Sequence, residues 1–412
     1  METIPLDKNK SIIFMGSMNA LPMVYALEMK KYGYEVIYLV DAPQKDTLSR
    51  PENHYPSIHY PYPDWIVEWT LPLQIILLLN PKLFAWLLKK IIKKHTKKDV
   101  GCYVLNGFFI SLSPYLPKAT FVSLSHGSDL DVWANLNNIS ELREGIFQSK
   151  LMKAIPKVAQ TYLIKNFILK QKKGFQHSDF LLYLPPGFNE TGDKIIAELQ
   201  TQGVTYIQRF HTSFAPLRDQ SREYKKNNST LQIFSGVRFL YKSFPRGNRG
   251  YNKGNDIIIE GLAKYYKVNP DIKIDFVEKG TDLESAKLLC KKLGIESVIT
   301  WHKEMPFYDL LTLYQQADIC FDQVGDHWMG AIGVYALWLG KPVITNEKRF
   351  IGSEFWPDES PVCSASNSDE VYQWLCKLSD SVERKRVSIA SRLFADQYLD
   401  IENFPNAVFQ LK

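Results

Sequence analysis

The sequence predicts an α/β protein of two doubly wound, Rossmann-like domains. Three observations lead there. Short apolar runs alternate with longer helical patterns along nearly the whole 412-residue chain. A strand–helix–strand pattern opens twice, at Ser11 and at Leu231. Between the two halves, residues 210–229 (FHTSFAPLRDQSREYKKNNS) form a hydrophilic stretch that reads as a linker.

Composition narrows the class. The length suffices for two domains that each bury a core, and 45% hydrophobic with 23% charged residues are globular values, which excludes a disordered chain. Five cysteines are odd in number, widely spaced and free of Cys-x-x-Cys, so they suggest neither a disulfide framework nor a zinc site, and no metal is expected. Residues 1–10 are polar and lead straight into an apolar strand, unlike a signal peptide. No apolar run approaches the roughly 18 residues of a membrane span. These points suit a reducing, cytoplasmic setting.

In chain order, residues 11–15 (SIIFM) read as a strand, Gly16-Ser17 as a turn, about 19–31 as a helix and 35–40 as a second strand. Gly16 permits a ligand or another piece of backbone to come close, and a simple tight turn explains it as well. The G-x-G-x-x-G fingerprint is absent, which disfavours a nicotinamide enzyme. Residues 51–63, rich in Pro, Tyr and His, read as an ordered loop with His54 and His59 at the surface. Residues 101–105 and 120–124 are further strands, and the second runs into Ser125-His126-Gly127-Ser128-Asp129. A histidine beside Gly, Ser and Asp at a strand's carboxyl end suits a polyol or a pyrophosphate; the other reading is that Ser128 or Asp129 caps the next helix. Residues 180–184 and 204–208 close the first sheet.

Two basic stretches interrupt this half. Residues 81–98 (PKLFAWLLKKIIKKHTKK) place Leu83, Phe84, Leu87, Leu88, Ile91 and Ile92 at helical spacing, with Lys89, Lys90, Lys93, Lys94, Lys97 and Lys98 between and beyond them. Residues 150–173 repeat the design, with Leu151, Ile155, Val158, Tyr162 and Phe167 near one stripe and Pro156 breaking or kinking it. Each is either a core-packed helix with a solvated basic face or an interfacial helix for an anionic membrane. No nucleic-acid-binding motif accompanies the lysines.

The second half begins with a strand at 231–234. A loop rich in Gly and Arg follows at 243–254, then a helix from about 256 to 266. Arg246, Arg249 and Lys253 directly precede that helix N-terminus, where cations and backbone N–H groups together neutralise a diphosphate. Strands at 273–277 and 297–300 end at Glu278 and Trp301; Trp301 is placed either to stack on a base or to fill the core. Residues 311–346 read as helix, strand, loop, helix, strand. The strand 317–321 delivers Asp322 and Gln323 to its carboxyl end, and the helix from Gly330 to Leu339 opens with free N–H groups at Gly330, Ala331 and Ile332. Helices are expected at about 368–378, 381–399 and 401–410.

The run ADICFDQ followed by GDHWMGAIGVYALWLGKPVIT resembles the donor-binding segment of GT-B glycosyltransferases of the family 4 type. Those carry Glu-x7-Glu followed by Ala-x-x-x-Gly-Lys-Pro-Val; here the first Glu position is His327 and the second Tyr335. A subgroup with Asp-Gln after the strand is matched by Asp322-Gln323, and its Gly before the helix by Trp328-Met329-Gly330. The resemblance implies a GT-B architecture, two Rossmann-like domains facing a central cleft: residues 1–215 for the acceptor, 229–390 for the nucleotide sugar, and a helix at 391–412 returning to the first domain. It implies metal-independent transfer of a hexosyl group from a UDP- or GDP-sugar, with retention, to an acceptor hydroxyl and with no separate cofactor; a glycan or lipid-linked acceptor at the inner face of the plasma membrane would explain the two basic stretches. By resemblance, Gly16, Arg249, Lys253, Gly254, Glu278, Trp301, Asp322, Gln323, His327, Gly330, Ala331 and Tyr335 contact the donor, and His126 and Asp129 lie near the anomeric carbon. A catalytically inactive homologue that acts as a partner protein and a sugar-nucleotide epimerase are the alternatives.

Overall fold

The computed structural model describes residues 3–55, 57–69, 80–146, 153–208, 230–243, 252–325, 329–348, 360–399 and 408–411. The chain divides into two compact units, residues 1–213 with 402–412, and residues 214–401. The linker expected at 210–229 lies outside the described residues, apart from the unit boundary itself.

The first unit opens with a two-residue strand β1 (Ile4–Pro5). A parallel seven-stranded sheet follows among the described residues: β2 (Ser11–Met15), β3 (Glu35–Val40), β4 (Ile66–Glu68), β5 (Val100–Asn106), β6 (Thr120–Leu124), β7 (Phe180–Tyr183) and β8 (Thr205–Gln208). The spatial order is β4-β3-β2-β5-β6-β7-β8. All five residues of β2 are buried, as expected of a central parallel strand covered on both faces. The helices are α1 (Pro22–Lys31), α2 (Pro81–His95), α3 (Ser128–Asp131), α4 (Ile139–Ile146), α5 (Lys157–Gln176) and α6 (Glu190–Thr201). Proline opens α1 and α2, where its missing N–H is no loss, and the Asn80 side chain accepts from Leu83 N to cap α2.

Helix α5 differs from its expected pattern. Pro156 sits at its cap rather than inside it, and the buried stripe is Gln160, Ile164, Phe167, Ile168, Gln171 and Phe175. Val158 and Tyr162, expected on the apolar face with Phe167, are 83% and 65% exposed. The register is set where the helix crosses the end of β5: Gln171 donates to the carbonyls of Gly107 (2.9 Å) and Asp129 (3.3 Å), which fixes a polar side chain inward. His54 is also a correction, because it is buried, with Nε2 2.7 Å from the Leu48 carbonyl oxygen. Its loop closes around the buried Arg50, whose guanidinium pairs with Glu52 and Glu68.

The second unit holds a six-stranded parallel sheet among its described residues: β9 (Leu231–Ser235), β10 (Ile272–Val277), β11 (Ile299–His302), β12 (Ile319–Phe321), β13 (Val343–Thr345) and β14 (Cys363–Ser364). Its order is β11-β10-β9-β12-β13-β14. Helices α7 (Asn255–Val268), α8 (Leu283–Lys292), α9 (Phe307–Gln316), α10 (Ala331–Trp338), α11 (Ser368–Ser379) and α12 (Ser381–Tyr398) cover it. Ile233, Phe276 and Phe321 of the sheet share one core with Ile258, Leu262 and Leu375 of the helices.

The carboxyl end departs from expectation. Helix α12 continues unbroken past residue 391 and belongs to the second unit, capped by Asp380 and tied down by Arg384, which donates to the carbonyls of Leu378 (2.7 Å) and Ser379 (3.0 Å). Residues 402–412 go with the first unit, where β15 (Phe409–Gln410) pairs in parallel with β1; the helix expected at 401–410 lies outside the described residues except at its end. Four of the five cysteines are buried, Cys376 is half-buried, and none is in a disulfide.

One close contact offers a test of the first core. A Cβ added at Gly174 in α5 would lie 2.2 Å from the Ile110 carbonyl oxygen. Gly to Ala inside a helix ordinarily gains up to ~1 kcal/mol; here Gly174→Ala should instead lose about 1–3 kcal/mol to overpacking. Calorimetric melting should show the midpoint lowered by ~2–4 °C for each kcal/mol.

Candidate functional site

In the second unit the chain builds β9, β10 and β11 outward in one direction, then returns to add β12, β13 and β14 on the other side of β9. The loops after β9 and β12 therefore diverge, and open α/β sheets bind ligands at such a reversal, beyond the carboxyl ends of the strands. Three backbone features knit the loops there. Lys253 N donates to the Leu240 carbonyl (2.7 Å), and Val324 N donates to the Lys253 carbonyl (3.1 Å). Gly254 adopts φ +66°, and a Cβ on it would lie 2.5 Å from Gly325 N, so only glycine brings these two loops together. The Asp282 carboxylate collects the amides of Tyr241, Lys242 and Ser243 at 2.8, 2.8 and 3.0 Å and pins the start of the cationic loop.

The next layer is acidic. Asp322, 3% exposed, accepts from Gln323 N (2.8 Å) through Oδ1, and from Gly330 N (2.5 Å) and Gly333 N (3.0 Å) through Oδ2. Burial pushes its carboxyl above the usual carboxylate range, while the three amides and Lys253 pull the other way. A buried carboxylate needs partners, and the start of α10 supplies them. It also shares out the anion-binding amides, because Gly330 N is taken. Among the described residues the amides of Ala331 and Ile332 meet no acceptor.

Two side chains that sequence reasoning missed complete the crevice. Glu347, two residues beyond β13 and 1% exposed, accepts from Met329 N. Burial pushes its carboxyl up to about 8, with the Met329 amide opposing and the charge of Asp322 adding. Lys253 is brought down to about 8 by burial, with Asp322 opposing and Arg238 adding. Arg238, exposed on the loop after β9, is thus an electrostatic neighbour of Lys253. The available signal was position: Gly-Val-Arg follows the opening strand, and Asn-Glu follows β13 at the same sheet edge.

The remaining expected residues are placed as follows. Gln323 is buried, and its carbonyl accepts from Thr345 Oγ1 (2.8 Å) and Asn346 N (3.2 Å). Tyr335 on α10 packs its ring 4.7 Å from Phe307. Glu278, beyond β10, is engaged at both oxygens by Lys287 (2.7 Å) and Lys303, the Lys287 hydrogen bond leading in holding its carboxyl below the usual range. Trp301 on β11 packs against Phe276 (5.3 Å) and Phe239 (5.6 Å), with Lys287 Nζ 5.5 Å from its ring, which is the core alternative. Glu278 and Trp301 thus have lysine and aromatic neighbours on the β10–β11 side of the sheet. Arg246, Arg249 and His327 lie outside the described residues.

In the first unit, Asp129 is 1% exposed, and its Oδ1 accepts from Ser125 Oγ (2.7 Å), His126 N (3.1 Å) and Gly127 N (3.1 Å). It braces the turn beyond β6 that carries the half-buried His126. Gly16 has φ +95°, and a Cβ there would lie 2.6 Å from the Asn106 carbonyl oxygen, so the ends of β2 and β5 approach through it. Among the described residues no cluster of three or more His, Cys, Asp or Glu is arranged to hold a metal.

Glu347 gives a pH test. It is neutral in the fold at pH 7, whereas in the unfolded chain a glutamate titrates near 4.3. The fold therefore holds the extra proton, and this contribution to stability is full below about 4.3 and lost as pH rises through about 8. Glu347→Gln, neutral at every pH, should melt with a flatter pH dependence between about pH 5 and about pH 9; equal slopes in both proteins would overturn the assignment.

No protein-family model and no curated protein matches the sequence. Solved structures do match its fold. WaaG, a glycosyltransferase involved in lipopolysaccharide biosynthesis, aligns over 96% of this chain and 98% of its own at 13% identity, with a TM-score of 0.56. The sucrose-phosphate synthase of Thermosynechococcus elongatus aligns over 98% and 97% at 12% identity and TM-score 0.54. A Listeria monocytogenes protein provisionally assigned as a UDP-N-acetylglucosamine 2-epimerase aligns over 98% and 94% at 12% identity and TM-score 0.54. With two doubly wound parallel sheets in one chain and these likenesses over almost its whole length, the chain has the GT-B fold, that of the glycosyltransferases it resembles.

Proposed function

We propose that this chain transfers a sugar from a nucleotide diphosphate sugar, UDP- or GDP-linked, to an acceptor hydroxyl. The observation that carries the reading is the stitched junction at Lys253-Gly254, which holds a cation at the topological reversal of the second sheet. Arg238 adds a second cation, and the amides of Ala331 and Ile332 add hydrogen-bond donors and the positive end of the helix dipole. The leaving group is a diphosphate, so these groups act where negative charge develops, the role a divalent ion has in other phosphate sites. An arriving diphosphate favours the charged form of Lys253. A protonated Glu347 keeps the crevice from confronting that anion with a second carboxylate charge. Asp322 holds the start of α10 rigid. Arg249, on the same loop, is proposed as a further diphosphate ligand, His327 and Tyr335 as donor contacts, and no metal or separate cofactor takes part. Retention of configuration follows the family resemblance.

The acceptor is proposed to be a glycan or lipid-linked precursor at the inner face of the plasma membrane. On α2, Leu83 and Trp86 are 46% and 52% exposed beside exposed Lys89, Lys90, Lys93 and Lys94; on α5, Val158, Tyr162 and Leu169 are exposed near Lys157 and Lys165. Apolar tips among lysines suit an anionic lipid surface, at ~1 kcal/mol for each lysine close to it. No helix among the described residues is long and apolar enough to cross a membrane. The likeness to the Listeria monocytogenes protein makes a sugar-nucleotide epimerase the second reading, marked by conversion of donor without any acceptor.

Two measurements test this. In thermal-shift titration UDP or GDP at ~100 times its dissociation constant should stabilise the protein by about 2.7 kcal/mol. Lys253→Ala and Arg249→Ala should abolish the shift and lower transfer by ~100- to 1,000-fold. An undiminished shift in Lys253→Ala would remove the proposed grip. In sedimentation with acidic-phospholipid vesicles at low salt, the wild type should pellet and Trp86→Ala with Lys89→Ala and Lys93→Ala should not; a wild type left entirely in the supernatant would end the membrane reading.

A further inference from the structure

Three consecutive residues at the end of β13, Thr345, Asn346 and Glu347, reach both arms of the second unit's crevice. Thr345 Oγ1 (2.8 Å) and Asn346 N (3.2 Å) donate to the Gln323 carbonyl, and Asn346 Nδ2 donates to the Gly325 carbonyl (2.8 Å). Between those two carbonyls sits Val324, whose amide holds the Lys253 carbonyl (3.1 Å). A Cβ on Gly325 would lie 2.1 Å from the Asn252 carbonyl oxygen, so this loop and the cationic one meet backbone to backbone. Through Asn346 the strand end is therefore tied to the cation.

Glu347 serves the other arm. Its Oε1 accepts from Met329 N, two residues before α10, and its own amide donates to Ser364 Oγ of β14 (3.1 Å). The neighbouring amide, Gly330 N, goes to Asp322, so two successive amides at the start of α10 are held by two acids from two different strands. A diphosphate gripped by Lys253 on one side and by the amides of Ala331 and Ile332 on the other requires those arms at a fixed separation. Adjacent residues of one strand end supply that link.

We propose that Asn346 and Glu347 are positioning residues of the diphosphate site, a two-residue clasp that keeps the Lys253 loop and the first turn of α10 in register with each other. Naming the guest a diphosphate rests on the donor reading above; the clasp rests on the hydrogen bonds alone. Glu347 also gives the clasp a charge that the site feels. It changes charge near pH 8, pushed up by burial, as does Lys253, brought down by burial. The other charges around Glu347 among the described residues are Asp322 at the end of β12 and, toward solvent, Lys348, which pairs with Glu370 of α11. A diphosphate binds best with Glu347 neutral and Lys253 charged. Above about pH 8 the free protein lacks both protons and must take them up on binding, so log Kd climbs by about two for each pH unit; with Glu347→Gln only Lys253 contributes, and the climb is about one.

The test titrates the full chain calorimetrically with UDP and with GDP between about pH 7 and about pH 9.5, and follows amide hydrogen exchange in the nucleotide-free proteins. Near neutral pH, Glu347→Gln keeps an acceptor for Met329 N and should bind as the wild type does, while Glu347→Ala and Asn346→Leu should weaken the nucleotide ~10-fold or more. Exchange should quicken at residues 329–333 in Glu347→Ala and at residues 252–254 in Asn346→Leu. Above about pH 8 the wild type should lose affinity more steeply than Glu347→Gln, a difference that a merely structural glutamate does not produce. Equal slopes, or unchanged affinity in Asn346→Leu, would overturn the proposal, and both readings stand even where Glu347→Ala does not fold. Exchange separates the clasp from the donor reading. A wild type that binds neither nucleotide removes the donor site, and exchange then decides the clasp; a wild type that binds, with exchange unaltered in the variants, removes the clasp alone.

Discussion

The buried carboxylate of Asp322 is the constraint on which the second unit's crevice depends. Taken out of water, it is stable only because three amides converge on it, and two of them belong to the first turn of α10. That convergence fixes the short helix against the end of β12, and with it the direction of the amides left over. The same charge opposes the burial that would neutralise Lys253 and adds to the burial that keeps Glu347 protonated. One acid thus fixes the start of the helix by hydrogen bonds and acts by its charge on both the cation and the second acid.

The two units repeat one sheet plan with opposite chemistry at the reversal point. In the second, Lys253 and Arg238 approach the strand ends, and the carboxylates beneath are either capped or protonated. In the first, Asp41 and Asp46 line a cavity beyond the strand ends, where among the described residues no Lys, Arg or His joins them. A fold gives both crevices by topology; their sign comes from a handful of side chains at strand ends. Function is written in the loops while the sheets remain alike.

Much of the fold was legible because buried parallel strands are contiguous apolar runs: SIIFM, EVIYLV and TFVSL appear in the structure with their expected limits. Short or peripheral strands such as Ile66–Glu68 and Cys363–Ser364 carry no such run and left no signal. Helix α5 was misread because its inward face includes Gln160 and Gln171, which periodicity scores as outward. At the site, the Lys-Gly junction stood out because cations directly precede a helix N-terminus there and because the family resemblance includes it. Asp129, Asp322 and Glu278 were given ligands because a sequence shows a carboxylate but not the amides or lysines that already occupy it. Arg238 and Glu347 were passed over for the converse reason: nothing local marks a residue that only the assembled sheet brings to the crevice.

The pairing of Ile4–Pro5 with Phe409–Gln410, reinforced by Tyr25 meeting Phe409 edge-on at 5.7 Å, makes the first unit discontinuous in the chain. Its final piece emerges from the ribosome only after all of residues 214–401 have been synthesised. The larger part of that unit must therefore wait, through the whole translation of its neighbour, with the partner edge of β1 open. A nascent chain in this condition has a vulnerable interval that the finished protein does not, and its length is set by the speed of elongation rather than by any folding barrier.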